Sequence, residues 1–148
     1  MLTLAIFLVS LSAMMGQVEK IPFSVYMSGE YCAIEKPSTR IITTQDAFEK
    51  YWHELYRNHE PIPEVPKNIN WSKEMLIAIH LGTRRSGGYA VKVVSVLRKS
   101  RDEIIVYYAE KKPRKDEIVT MALTQPFTVI KTPILSGKIK FELVKSKK

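Results

Sequence analysis

The sequence predicts a mostly β (α+β) fold: a curved antiparallel meander or small barrel with one packed helix. Three observations lead there. The second half consists of successive short runs rich in β-branched and aromatic residues, separated by turn residues. One segment alone carries an apolar stripe of helical period. The chain is 148 residues long and 45% hydrophobic, which suits a single domain with one core.

Residues 1–16 are uncharged and almost wholly apolar, with Leu2, Leu4, Ile6, Phe7, Leu8, Val9 and Leu11 at their centre. The run is short for a membrane-spanning helix, which needs about 20 residues. Ser12, Ala13 and Gly16 follow, before the first charges at Glu19 and Lys20. That order predicts a secretory signal peptide. No Lys or Arg precedes the run, so an uncleaved N-terminal anchor is the alternative, and it would bring the protein to a membrane. Either way the expected location is extracytoplasmic: secreted, periplasmic or at the cell surface. Residues 20–145 are read as one β domain.

Short strands are expected at residues 21–26, 31–34 and 40–43. The helix is expected over 45–56, capped by Thr43 or Thr44, with Asp46 and Glu49 near its positive end. Phe48, Tyr51, Trp52 and Leu55 form its apolar stripe and are taken as core. Pro61, Pro63 and Pro66 then mark a loop. Residues 75–81 are an almost unbroken apolar run, the pattern of a central strand covered on both faces. Strands at 89–97, 104–109 and 118–123 follow. Pro126 and Pro133 bracket a strand at 127–130, which suggests an edge position or a strand end. In the last strand Ile139, Phe141 and Leu143 alternate with Lys138, Lys140 and Glu142, so one face is wet. Ile77, Ile79, Val91 and Val93 join the helix stripe in the expected core.

The connection Gly82-Thr-Arg-Arg-Ser-Gly-Gly-Tyr89 follows Trp71-Ser72-Lys73 and the buried run, and Pro126-Phe127 comes later. This order resembles the C-terminal domain of the protease complex subunit PrcB family: an aromatic-Ser-Lys step, a G-x-R-x-x-G-G-Y hairpin and a late Pro-aromatic pair, over residues 40–133. The resemblance implies an exported accessory subunit that assists assembly or stability of a secreted protease complex, with no catalytic residues to transfer. The family's namesake is a lipoprotein, whereas no lipid-acceptor cysteine follows the apolar run here.

The formal charge of +8 and pI near 9.6 favour an anionic partner, either a protein or an anionic envelope component. In a meander, every second connection lies at the same end of the sheet. The glycine-rich connection and the Lys111–Lys115 connection would then share a rim. The candidate partner-binding residues are therefore Arg84, Arg85, Gly87, Gly88, Tyr89, Lys111, Lys112, Arg114 and Lys115. Structural turns alone also account for the glycines, and solvated hairpin tips for the charges.

Signals for chemistry are weak. His53, His59 and His80 show no metal-ligand spacing, and no G-x-S-x-G, H-E-x-x-H or C-x-x-C occurs. No catalytic residue, metal or cofactor is assigned. Two alternatives to a non-catalytic binding domain are retained. One is a small extracytoplasmic hydrolase using Cys32 or a histidine, which requires a pocket holding that pair. The other is a nucleic-acid-binding barrel using Tyr107 or Tyr108 as an exposed stacking residue, which the export signal disfavours.

Overall fold

The computed structural model describes residues 17–145, and the leader expected at residues 1–16 lies outside them. Along the chain run β1 (Glu19–Lys20), β2 (Ser24–Gly29), β3 (Ser38–Ile42), α1 (Gln45–Leu55), β4 (Glu74–His80), β5 (Ala90–Ser100), β6 (Glu103–Lys111), β7 (Phe127–Pro133) and β8 (Lys138–Leu143). The mostly β expectation with one helix holds. The closed barrel and simple meander do not. The strands form two four-stranded sheets, β2-β7-β4-β3 and β1-β5-β6-β8.

The reason lies in β4. Leu76 and Ala78 face the helix side, while Met75, Ile77 and Ile79 face the other, and all five are at most 1% exposed. A strand apolar on both faces needs a layer on each. Helix α1 covers one face with Phe48, Tyr51, Trp52 and Leu55. The second sheet covers the other with Val91, Val93, Val96, Ile104 and Val106. The domain is thus helix, middle sheet, outer sheet, with two separate cores. The helix lies on a sheet face and does not plug a barrel mouth.

Thr44 caps α1, its Oγ1 accepting from the Ala47 N–H at 3.1 Å. Trp52 packs against Phe48 and Tyr56 and donates to the Pro63 carbonyl at 2.9 Å, tying the proline loop to the helix. Every core residue expected from the sequence is at most 7% exposed.

Of the two expectations for the proline-flanked strand, an edge position or a strand end, the strand end holds, and two other local expectations are corrected. Strand β7 is an inner strand, paired with β2 on one side and β4 on the other. Its prolines are tolerated because Pro126 precedes it and Pro133 occupies the terminal rung opposite Glu74. Residues 31–34 are irregular, with Ala33 N–H donating to Leu55 O at the helix end. Residues 118–123 form no strand despite their composition. Strand β8 pairs in parallel with β6, because the chain leaves the outer sheet to form β7 and then returns. Its wet face is as expected: Ile139 and Phe141 pack inward, while Lys138, Lys140 and Glu142 are exposed.

Candidate functional site

Strands β4 to β7 form one long hairpin bent double. Strands β4 and β7 pair antiparallel in the middle sheet, and β5 and β6 pair antiparallel in the outer sheet. Two connections therefore cross between the layers side by side, residues 81–89 and 112–126. Backbone hydrogen bonds join them. Leu81 N–H donates to Pro126 O at 3.0 Å, Arg84 and Thr124 exchange bonds of 2.8 and 3.0 Å, and Gly87 N–H donates to Thr120 O at 2.8 Å. Thr124 is fully buried, and its hydroxyl donates to Ser86 O at 2.8 Å.

Two glycines permit this corner. Gly82, at φ 76°, has the Pro37 nitrogen 2.8 Å and the Glu35 carbonyl oxygen 2.9 Å from where a Cβ would stand. Gly88, at φ 85°, lies against Pro113 and Val119, each 2.8 Å from its would-be Cβ. Its N–H also donates to Glu30 Oε1 at 3.2 Å.

The structure thus places both sequence-predicted basic connections at one end of the molecule, through paired crossovers and not through a meander. Their residues divide into two roles. Arg84 belongs to the corner itself. Its Nε donates to Glu110 at 2.9 Å, its Nη1 to Leu81 O at 2.8 Å, and its guanidinium lies 5.8 Å from the Tyr89 ring centre. Gly87 is buried, and Gly88 and Tyr89 are half-buried. Arg85, Lys111, Lys112, Arg114 and Lys115 are exposed. Arg114 lies 3.7 Å from Asp116, and the other four make no ion pair among the described residues.

Sequence reasoning missed the apolar part of this surface. Ile118, Met121 and Leu123 are 100%, 87% and 63% exposed, and Tyr31 is exposed in the segment that Glu30 ties to Gln125 and Gly88. Strand propensity placed residues 118–123 in a sheet, which concealed that Ile118, Met121 and Leu123 have nothing to pack on.

A second cluster is buried. Cys32 Sγ lies 3.8 Å from His80 Nδ1, and His80 Nε2 lies 3.0 Å from the Tyr51 hydroxyl. His80 stacks on Phe127 and is 2% exposed; Cys32 is 9% exposed. A neutral ring with its proton on Nδ1 satisfies the set: Tyr51 donates to Nε2, Nδ1–H donates to sulfur, and the thiol donates to Gln125 O at 3.5 Å. Burial, with a smaller effect from Arg40, holds the His80 pKa down to about 4. Burial pushes the Cys32 thiol and the Tyr51 hydroxyl up. The thiol hydrolase alternative has its cysteine beside a histidine, but with the thiol kept protonated and the ring nearly sealed from solvent. A nucleophile needs the opposite of both. The trio works as a polar tie between α1, β4 and the chain after β2.

Of the consecutive tyrosines, Tyr108 packs on the inner core. Tyr107 is half-buried, with Lys99 5.7 Å from its ring centre. One such residue makes no stacking track for a strand of nucleic acid.

No curated protein and no solved structure matches the chain. A family-model match covers the bent hairpin, from the second residue of β4 to the end of β7. Residues 75–133 match the family model described as PrcB C-terminal, so the family resemblance carried by the glycine-rich connection and the late Pro-aromatic pair is shown over β4 to β7.

Proposed function

We propose that the chain is an exported, non-catalytic accessory domain that binds a protein of an extracytoplasmic complex through the corner of its bent hairpin. The family match suggests an accessory domain of a protease complex. Export rests on the apolar leader composition of residues 1–16. The single observation that carries the docking site is a clamped connection displaying three large apolar side chains, Ile118, Met121 and Leu123, beside four unpaired cations. Burying each such side chain on a partner is worth about 1.5–3 kcal/mol before binding entropy is counted. Clustered exposure on a fixed backbone marks an interaction surface better than scattered surface hydrophobes do. Arg85, Lys111, Lys112 and Lys115 would steer an acidic partner and make association sensitive to salt.

The test is site-directed cross-linking in the native host. A photoreactive phenylalanine replaces Met121 in one strain and the exposed helix residue Lys50 in another. The reading expects a discrete adduct with an extracytoplasmic protein, a protease subunit above all, from position 121 and none from position 50. Equal labelling from both positions, or an adduct with a cytoplasmic protein, overturns it.

A further inference from the structure

Resting on that docking reading, we infer that residues 118–123 are a strand whose partner belongs to another protein, so that the accessory domain captures an extended segment by backbone pairing. The segment reads Ile-Val-Thr-Met-Ala-Leu, a strand composition, yet it joins neither sheet. It is nonetheless held in position. Thr120 O accepts from Gly87, Thr124 is paired with Arg84 on both its backbone groups, and Val119 packs on Gly88. Among the described residues, the N–H and C=O groups of Ile118, Val119, Met121, Ala122 and Leu123 have no hydrogen-bond partner within the chain.

In the free protein, water satisfies those groups at little cost. Any partner that buries Ile118, Met121 and Leu123 must also cover the backbone between them, and a buried, unpaired amide is heavily penalised. A flat apolar surface therefore fails here, whereas an extended strand meets both demands, with side chains covered and backbone groups bonded. Pairing straightens the bend now present at Ala122. The cations fix what flanks the strand. Lys111, Lys112, Arg114 and Lys115 precede the segment across Asp116 and Glu117, four cations against two carboxylates, so the surplus there is positive and the captured strand carries acidic residues at the end that meets it. A second copy of this chain is disfavoured as occupant: parallel pairing would bring these cations together, and a net charge of +8 on each chain opposes self-association in either direction.

Amide hydrogen exchange on the full chain tests this. The probes are two synthetic peptides of alternating valine and threonine, one with acidic residues at its N-terminal end and one at its C-terminal end. A third set has alternate peptide nitrogens methylated. The expected result is fast exchange at Ile118, Met121 and Leu123 in the protein alone, slowed about tenfold or more by one unmethylated peptide and unaffected by the methylated ones. Met121→Pro, which removes a donor used by nothing within the chain, should abolish the slowing while leaving the melting temperature unchanged. Slow exchange in the protein alone, protection on another edge strand, or equal protection by methylated peptides overturns the inference. So does protection that grows with protein concentration without peptide. Cross-linked-partner binding separates the two readings. Loss on reversing Arg85, Lys112 and Lys115 to Glu, but retention in Met121→Pro, refutes strand capture and leaves docking standing. Retention in both refutes docking as well.

Discussion

Replacing Arg84 with Ala should destabilise the whole domain, although the residue lies in a connection on a basic surface. The guanidinium makes bonds of 2.9 Å to Glu110 and 2.8 Å to the Leu81 carbonyl, with side-chain exposures of 26% for Arg84 and 14% for Glu110. Removing one partner of a fully buried pair costs about 3–5 kcal/mol, because it strands a charge. Water reaches part of this pair, so the expected loss is about 2–3 kcal/mol, above the ~0–1 kcal/mol of an exposed pair. Arg84→Lys keeps the charge but not the fork of donors, and should lose roughly half as much. Urea unfolding of the two variants, of Glu110→Ala and of the double mutant closes a cycle, whose coupling energy should be about 1–2 kcal/mol. A loss below about 0.5 kcal/mol for Arg84→Ala, within the range of ordinary surface changes, would refute the role of this residue as a corner clamp.

Trp52→Ala should cost about 3–5 kcal/mol by urea unfolding, since it empties the space between Phe48, Tyr56 and the proline loop. Gly88→Ala should cost about 1–3 kcal/mol because φ 85° and the contacts with Pro113 and Val119 both resist a Cβ. At Gly87 the nearest atom to a would-be Cβ is 3.5 Å away, so Gly87→Ala should stay within about 0.5 kcal/mol of the parent. His80 gives a pH dependence of definite sign. Its folded pKa of about 4 lies below the ordinary imidazole value of 6.5, so between those values the unfolded chain binds the extra proton. Its neutral burial is fully favourable above pH 6.5, and about 3 kcal/mol is lost as pH falls toward 4. His80→Gln should flatten that part of the stability–pH curve, and an unchanged slope would show that His80 is already charged in the fold.

Much of the architecture could be read from residue patterns, and the failures share one cause. Period and propensity report which face of an element is apolar, not which strand lies beside it. The two-faced apolar run of β4 and the stripe on α1 therefore located both cores correctly. The same information was silent on sheet membership, so adjacency in sequence suggested a meander where the chain instead changes sheets three times after β4. The prolines flanking β7 left an edge position or a strand end open, and they sit at its ends, where they remove no ladder bond that matters. Residues 118–123 showed that strand composition needs a partner to become a strand. The Cys32–His80–Tyr51 cluster joins positions 48 and 29 residues apart, and part of it was within reach. His80 shares the helix-facing parity of Leu76 and Ala78, and a buried polar group there requires a partner such as the Tyr51 hydroxyl from the stripe. The basic corner was located, but Arg84 could not be told apart from its neighbours, because Glu110 reaches it only through the fold.

The central claim is that the hairpin corner is the docking surface, and its most direct test is a binding titration against the partner cross-linked at position 121. The variant carries Ile118→Ser, Met121→Ser and Leu123→Ser, all at positions exposed in the free chain. Removing apolar anchors worth 2 kcal/mol or more in total should weaken binding about 30-fold or more. The unfolding midpoint should stay unchanged, because these side chains support nothing within the fold. Undiminished affinity in the folded variant would contradict the account, and so would loss of affinity accompanied by an equal loss of stability.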